Sequence, residues 1–234
     1  MPSPASLLRL VVFDMAGTTV RDDGQVPRAF VAALAAHGIE VNDEAIVAVR
    51  GASKREAVRH FVPDGPDHDR TADAIYATFC AHLRHLFKEM GVHPVAGAAD
   101  AFAVLRGHGI KVAITTGFDR EIMSMLLAAL GWERGVANVL VCLDDVANGR
   151  PAPDLILRAM ALAKVTDPKQ VAAVGDTTLD LQAGERAGVS WNVGVLSGGH
   201  DRARLEQAPH THIFSTVADF AHAVVAELHT RPVA

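Results

Sequence analysis

The chain has 234 residues, half of them apolar and 21% charged, with a formal net charge of −5, which suits one sizeable domain or a core with a smaller insertion and excludes a disordered or fibrous chain. It contains no run of five basic residues to grip nucleic acid or an anionic lipid surface, and no stretch of about 18 apolar residues to span a membrane. Cys80 and Cys142 form no C-x-x-C pair and are expected to be reduced, buried thiols. The opening MPSPASLLRL has neither a basic region nor a small-residue cleavage site, so the expected protein is soluble and cytoplasmic, with neither nucleic acid nor membrane as partner.

The first predicted element is a strand. Residues 7–13 (LLRLVVF) are short and aliphatic and stop abruptly at Asp14 and Gly17, as a buried parallel strand running into a loop would. From Asp22 to about Pro94 no strand-like run occurs, and four helices are expected. Pro27 suits a first turn, Asn42 caps a second helix that Gly51 stops, Ser53 and Glu56 form a capping box for a third, and residues 71–90 make a long fourth ending at Gly91. Gly and Pro near Asp22–Gly24 and Pro94–Gly97 mark hinges. Strand-like runs at 110–115, 139–143, 171–175 and 189–195 then alternate with helical patterns at 120–130, 153–164 and 179–187. This rhythm predicts an α/β fold, a doubly wound Rossmann-like parallel sheet from residues 1–21 and 95–234, with residues 22–94 inserted after strand one as a helical cap domain.

Ligands of such sheets sit outside the carboxyl ends of the strands, so the residues that follow each run belong together. They are Asp14-Met15-Ala16-Gly17-Thr18-Thr19, then Thr115-Thr116-Gly117, then Asp144-Asp145 and Arg150, then Asp176 and Asp180. Clustered carboxylates repel in a partly dry cleft and call for a hard divalent cation; oxygen-only ligation points to Mg2+. Thr115, the backbone amides after it and Arg150 would hold the oxygens of an anion such as a phosphoryl group.

VVFDMAGTTV, AITTG, the cation of NGRPAPD and VGDTTLD, in this order, resemble the motifs of the haloacid dehalogenase superfamily of aspartate-nucleophile hydrolases over nearly the whole chain. The resemblance implies that Asp14 attacks phosphorus, that Thr115 and Arg150 hold the phosphoryl oxygens, where the Thr116 and Gly117 amides are expected to join them, that Asp14, Asp176 and the carbonyl of Ala16 hold Mg2+, and that Asp180 is the second acid of the last motif. Most such phosphatases carry an acid where this chain has Ala16, and Lys where it has Arg150. Both departures resemble the phosphonoacetaldehyde hydrolase branch, in which a cap lysine condenses with an aldehyde substrate; the matching residue is Lys54. An iminium there takes up the electrons of a breaking C–P bond, so no acid at position 16 is needed for that step. As the first residue after the Ser53 cap, Lys54 lies where the positive helix end favours its free amine. In that branch a His follows the lysine by three residues; here Ala57 stands there and His60 lies further on.

Competing readings exist for several of these residues. Lys54 could instead bind a distal anion of a phosphomonoester, making the protein an ordinary phosphatase, or the fold could bind a phosphorylated metabolite without turnover. Asp144-Asp145 suit a turn as well as a metal shell, the twelve histidines (His82 and His85 included) suit a solvated surface better than a metal site, and residues 194–199 (GVLSGG) suit a tight loop near the cleft. The expected partner is a small organophosphorus substrate, and the resemblance allows a homodimer packed through cap helices.

Overall fold

The computed structural model describes residues 8–229; Leu7, the first residue of the predicted opening strand, lies outside them. Strand β1 (Leu10–Asp14) is followed by helices α1 (Gln25–Ala36), α2 (Asp43–Ala48), α3 (Lys54–Phe61) and α4 (His68–Met90), with no strand among them. Then come α5 (Ala98–Gly107), β2 (Lys111–Thr115), α6 (Arg120–Leu130), β3 (Val139–Val141), α7 (Asp154–Ala163), β4 (Val171–Gly175), α8 (Thr178–Ala187), β5 (Trp191–Val195), α9 (Arg202–Leu205), β6 (His212–Phe214) and α10 (Val217–His229). The strands form one parallel sheet in the order β3-β2-β1-β4-β5-β6. This is a Rossmann-like α/β fold whose strand order reverses beside β1, where such sheets open a crevice.

Strand alternation divides the core. Phe13 points to one face, with its ring 5.1 Å from Phe102 of α5 and 6.0 Å from Phe220 of α10, whereas Leu10 and Val12 point to the other, among Leu155 and Ala159 of α7 and Ala183 of α8. Each fully buried Leu or Phe side chain stabilises the fold by about 1.5–3 kcal/mol. Both cysteines are free and buried, as expected. Among the described residues no helix is long and apolar enough to cross a membrane.

The helices between β1 and α5 pack together as a cluster, in which Phe30 of α1 meets Phe61 of α3 at 5.9 Å and Phe79 of α4 at 5.8 Å, edge to face, and their buried side chains are continuous with those that cover the Phe13 face of the sheet. Local chemistry sets their ends. Asn42 accepts from the Ala45 amide at 2.9 Å, and Ser53 from the Glu56 amide at 3.2 Å, the Ser53 half of the expected box. The second helix stops at Ala48, before Gly51, and the fourth starts at His68, a turn earlier than its sequence pattern suggests. The two chain passages joining this cluster to the sheet lie side by side, with Arg21 N donating to His93 O and Val95 N to Thr19 O, both at 2.9 Å.

β6 is the strand that escapes the sequence reading. It has three residues, none fully buried, so it offers no apolar run of the kind that marks the other five.

Candidate active site

In the strand register Asp14 lies opposite Thr115, and Gly175, which precedes Asp176, lies opposite Gly194. The ends of β1, β2, β4 and β5 therefore deliver their loops to one edge of the sheet. Asp14, Asp176 and Asp180 are all buried there, with one carboxylate oxygen of each within 4.8 Å of the others.

Arg150 holds this cluster together electrostatically. Its Nη1 donates to Asp14 Oδ1 at 2.7 Å and also to Asp180 Oδ1. Burial works against the guanidinium charge, but Asp14 and Asp180 outweigh it and keep Arg150 protonated. Nη2 has no acceptor among the described residues and lies against Gly117, where a Cβ would be 3.1 Å from it. Asp180 is fully engaged, because its other oxygen accepts from the Thr177 amide at 3.0 Å and the Thr177 hydroxyl at 2.5 Å, capping α8. Burial, reinforced by Asp180 and Asp176 and opposed by Arg150, pushes Asp14 up to about 8. Burial and Asp180 push Asp176 up to about 6, against the Gly199 amide (2.5 Å) and the Thr18 hydroxyl (2.9 Å) that bond to it. Two buried carboxylates so strained toward protonation fit a hard cation, which would relieve both. Their surroundings also fit: a Cβ at Gly17 or Gly198 would come within 2.8 or 2.5 Å of Asp176 Cγ, so both glycines leave the carboxylate room.

Above the sheet edge lies a cavity of about 120 Å³, lined by Asp14, Ala16, Thr116, Gly117, Arg150 and Asp176 from the sheet side and by Asp22, Arg50, Gly51, Lys54 and Ala57 from the helical side. At about 30 Å³ per water in the liquid, that volume is room for about four waters. Lys54 is the first residue of α3, and its Nζ lies 5.8 Å from the centre of the Phe118 ring and, among the described residues, bonds only to Ala52 O, at 3.3 Å. Burial and Arg150 pull its amine down to about 8, against Asp14, Asp22 and Asp176. No carboxylate lies within ion-pair distance of it among the described residues.

Of the expected site residues all but Thr115 and Asp180 line this cavity, and Asp180 reaches it through Arg150. Thr115 does not line this cavity; its hydroxyl donates to Phe13 O at 3.3 Å and it borders a small void on the other side of Asp14. Thr116, one residue on and so on the opposite face, does line it. His60 is exposed against Phe61 and stays out of the cavity, leaving Ala57 as the neighbour of Lys54. Asp144 and Asp145 serve locally: Asp144 accepts from the Arg120 amide at 2.9 Å and Asp145 from the Cys142 amide at 2.9 Å. His85 pairs with Glu89 at 3.3 Å on an exposed helix face.

Three contributors were not foreseen as site residues. Asp22, read only as part of a hinge, lines the cavity and caps α1 by accepting from the Gly24 and Val26 amides. Gly199, in the loop expected near the cleft, donates its amide to Asp176. Arg50, one turn before Lys54, lines the cavity and bonds the Gly199 carbonyl at 2.8 Å. No local pattern marks Arg50, because its role depends on how the helical segment lies over the sheet.

Residues 8–188 match the family model described as haloacid dehalogenase-like hydrolase. The phosphonoacetaldehyde hydrolase of Latilactobacillus sakei is 30% identical, over 86% of this chain and 82% of that protein. That of Bordetella pertussis is 29% identical, over 96% and 93%. Among solved structures, a phosphonoacetaldehyde hydrolase-like protein from Oleispira antarctica superposes with a TM-score of 0.83 at 23% identity, over 96% of this chain and 94% of that one; at that identity the likeness establishes the fold.

Proposed function

The chain belongs to the haloacid dehalogenase-like hydrolase family, and we propose that it cleaves the C–P bond of phosphonoacetaldehyde or a close relative in a magnesium-dependent reaction. The observation that carries this reading is that Lys54 and Asp14 line one small cavity with Arg150, and that the lysine has no carboxylate partner among the described residues. An amine already drawn down to about 8 is available to attack a carbonyl near neutral pH.

The steps follow from the side chains. Lys54 condenses with the aldehyde and releases water. Asp14 attacks phosphorus, the C–P electron pair moves into the enamine, and an aspartyl-phosphate forms. Protonation and hydrolysis return acetaldehyde and the free lysine, and water cleaves the acyl phosphate. Arg150, through its uncommitted Nη2, and Thr116 with Gly117 hold the phosphoryl oxygens, while Asp180 fixes the Arg150 fork. Asp14, Asp176 and the Ala16 carbonyl would hold Mg2+, which when bound offsets the charge on the phosphoryl group and the carboxylates. Residues 22–94 act as a cap that excludes water from the cavity.

A second reading is favoured by one finding: Ala57 faces the cavity and His60 does not, so no imidazole stands beside Lys54. In that case Lys54 grips a distal anion and the protein is a phosphomonoester phosphatase. Phosphate release from phosphonoacetaldehyde and from common phosphomonoesters, with magnesium, separates the two. C–P cleavage further requires that borohydride with phosphonoacetaldehyde add mass to the Lys54 peptide, that Lys54→Arg abolish turnover, and that Asp14→Asn do so as well. An unmodified peptide together with an active Lys54→Arg variant would replace the first reading with the second.

A further inference from the structure

Gly199 makes two hydrogen bonds in opposite directions. Its carbonyl accepts from Arg50 Nη1 at 2.8 Å, and its amide donates to Asp176 Oδ2 at 2.5 Å. Arg50 belongs to the helical segment between β1 and α5, while Asp176 directly follows β4 of the sheet. The loop between is pinned on either side. Ser197 Oγ donates to Gly17 O at 2.8 Å, the His200 amide donates to Asp176 O at 3.2 Å, and the His200 ring accepts from the Thr178 amide at 3.0 Å.

We infer that Arg50 is a positioning residue: by docking on the Gly199 carbonyl when the helical segment closes, it sets the Gly199 amide that orients the Asp176 carboxylate. The inference rests on the reading of Asp176 as a magnesium ligand. The Gly199 carbonyl and amide lie in adjacent peptide planes joined at its Cα; the carbonyl's plane also carries the His200 amide held on Asp176 O, and the amide's plane follows the tethered Ser197, so with both sides held a displacement of the carbonyl is passed to the amide. The pins at Ser197 and His200 prevent the loop from absorbing that displacement elsewhere. Contact is close enough to exclude a side chain at position 199, where a Cβ would come within 2.6 Å of Arg50 Cδ and 3.2 Å of Asp176 Oδ2. Among the described residues no carboxylate competes for the Arg50 guanidinium, which leaves the carbonyl as its anchor. By linkage, a contact that helps Asp176 hold the cation is itself strengthened when the cation binds, so closure and metal affinity rise together.

Magnesium titration of the full chain by thermal shift, without substrate, reads this coupling directly. Relative to wild type, Arg50→Ala is expected to weaken magnesium binding at least fivefold and to lower kcat about tenfold, with KM changed less than threefold. Arg50→Lys should recover part of both losses, and guanidinium ion should restore some activity to Arg50→Ala. Gly199→Ala, which pushes the Arg50 stem away, should weaken magnesium binding comparably, and the double variant should add little, because both act through one contact. Identical magnesium affinity in wild type and both single variants overturns the inference alone, as do fully additive losses. A wild-type chain that shows no magnesium-dependent shift overturns the metal reading and this inference with it.

Discussion

Replacing Gly51 by Ala tests whether close apposition of the helical segment to the sheet edge is needed for turnover. Gly51 has φ +89°, and a methyl group there would run into the Thr177 hydroxyl, with even Thr177 Cβ only 3.0 Å away. Gly38 has a similar φ of +77° but nothing within 4 Å of the same position, so Gly38→Ala carries the backbone strain without the collision. That strain is about 1–2 kcal/mol in each, or about 2–8 °C in Tm for a chain of this size. Only Gly51→Ala must also draw the loop back by about 1 Å to reach ordinary contact. Lys54 lies three residues along and moves with it, and a displacement of that size at a reacting group costs about 10²-fold in rate. Thermal melts and kcat/KM measured side by side should thus show a loss of stability in Gly51→Ala at least as large as in Gly38→Ala, and loss of activity in Gly51→Ala alone. Near-equal activity of the two would refute the argument that this seam positions the lysine.

Asp176→Asn trades a cation-binding carboxylate for a neutral oxygen, so activity should fall and be partly regained at high magnesium; unchanged magnesium dependence would remove Asp176 from the ligand set. The rate of borohydride trapping on Lys54 should rise through about pH 8 and then level, because the ammonium form, dominant below that value, cannot attack and burial has brought the pKa down to about 8. A rate still climbing past pH 10 would indicate a solvated lysine. Thr116→Ala should raise KM for the organophosphorus substrate severalfold, whereas Thr115→Val, on the face turned from the cavity, should leave it within about twofold; kinetics of the reverse pattern would reinstate Thr115.

Much of this arrangement was legible in the chain because strand ends are legible. Asp14, Thr116, Arg150 and Asp176 each follow a compact aliphatic run or its loop, and parallel register brings such positions to one edge whatever the loop lengths. The choice between Thr115 and Thr116 was not legible, since a two-residue T-T leaves the face undetermined until the last residue of β2 is fixed, and one residue inverts it. Arg50 and Asp22 were invisible for a different reason. They reach the cavity through the packing of Phe30, Phe61 and Phe79, which orients the helical cluster, and a tertiary orientation leaves no period in the sequence. His60 shows the converse: a residue of suitable chemistry six positions past Lys54 on the same helix points to solvent because α3 turns its other face, with Ala57 and Val58, inward.

The two passages that enter and leave the helical cluster run as a short ladder, with Val20 bridged to Pro94 and hydrogen bonds on either side. Two strands zipped together resist bending in their own plane and splaying apart, so a swing of the cluster away from the sheet edge would be confined chiefly to one axis, as a door is on a strip hinge. The same adjacency makes the cluster a plug-in unit. Since its two ends meet within one backbone hydrogen bond, a tight turn joining Arg21 to His93 would span the gap, and helical modules of other sizes could be exchanged at this seam without moving the strands beneath.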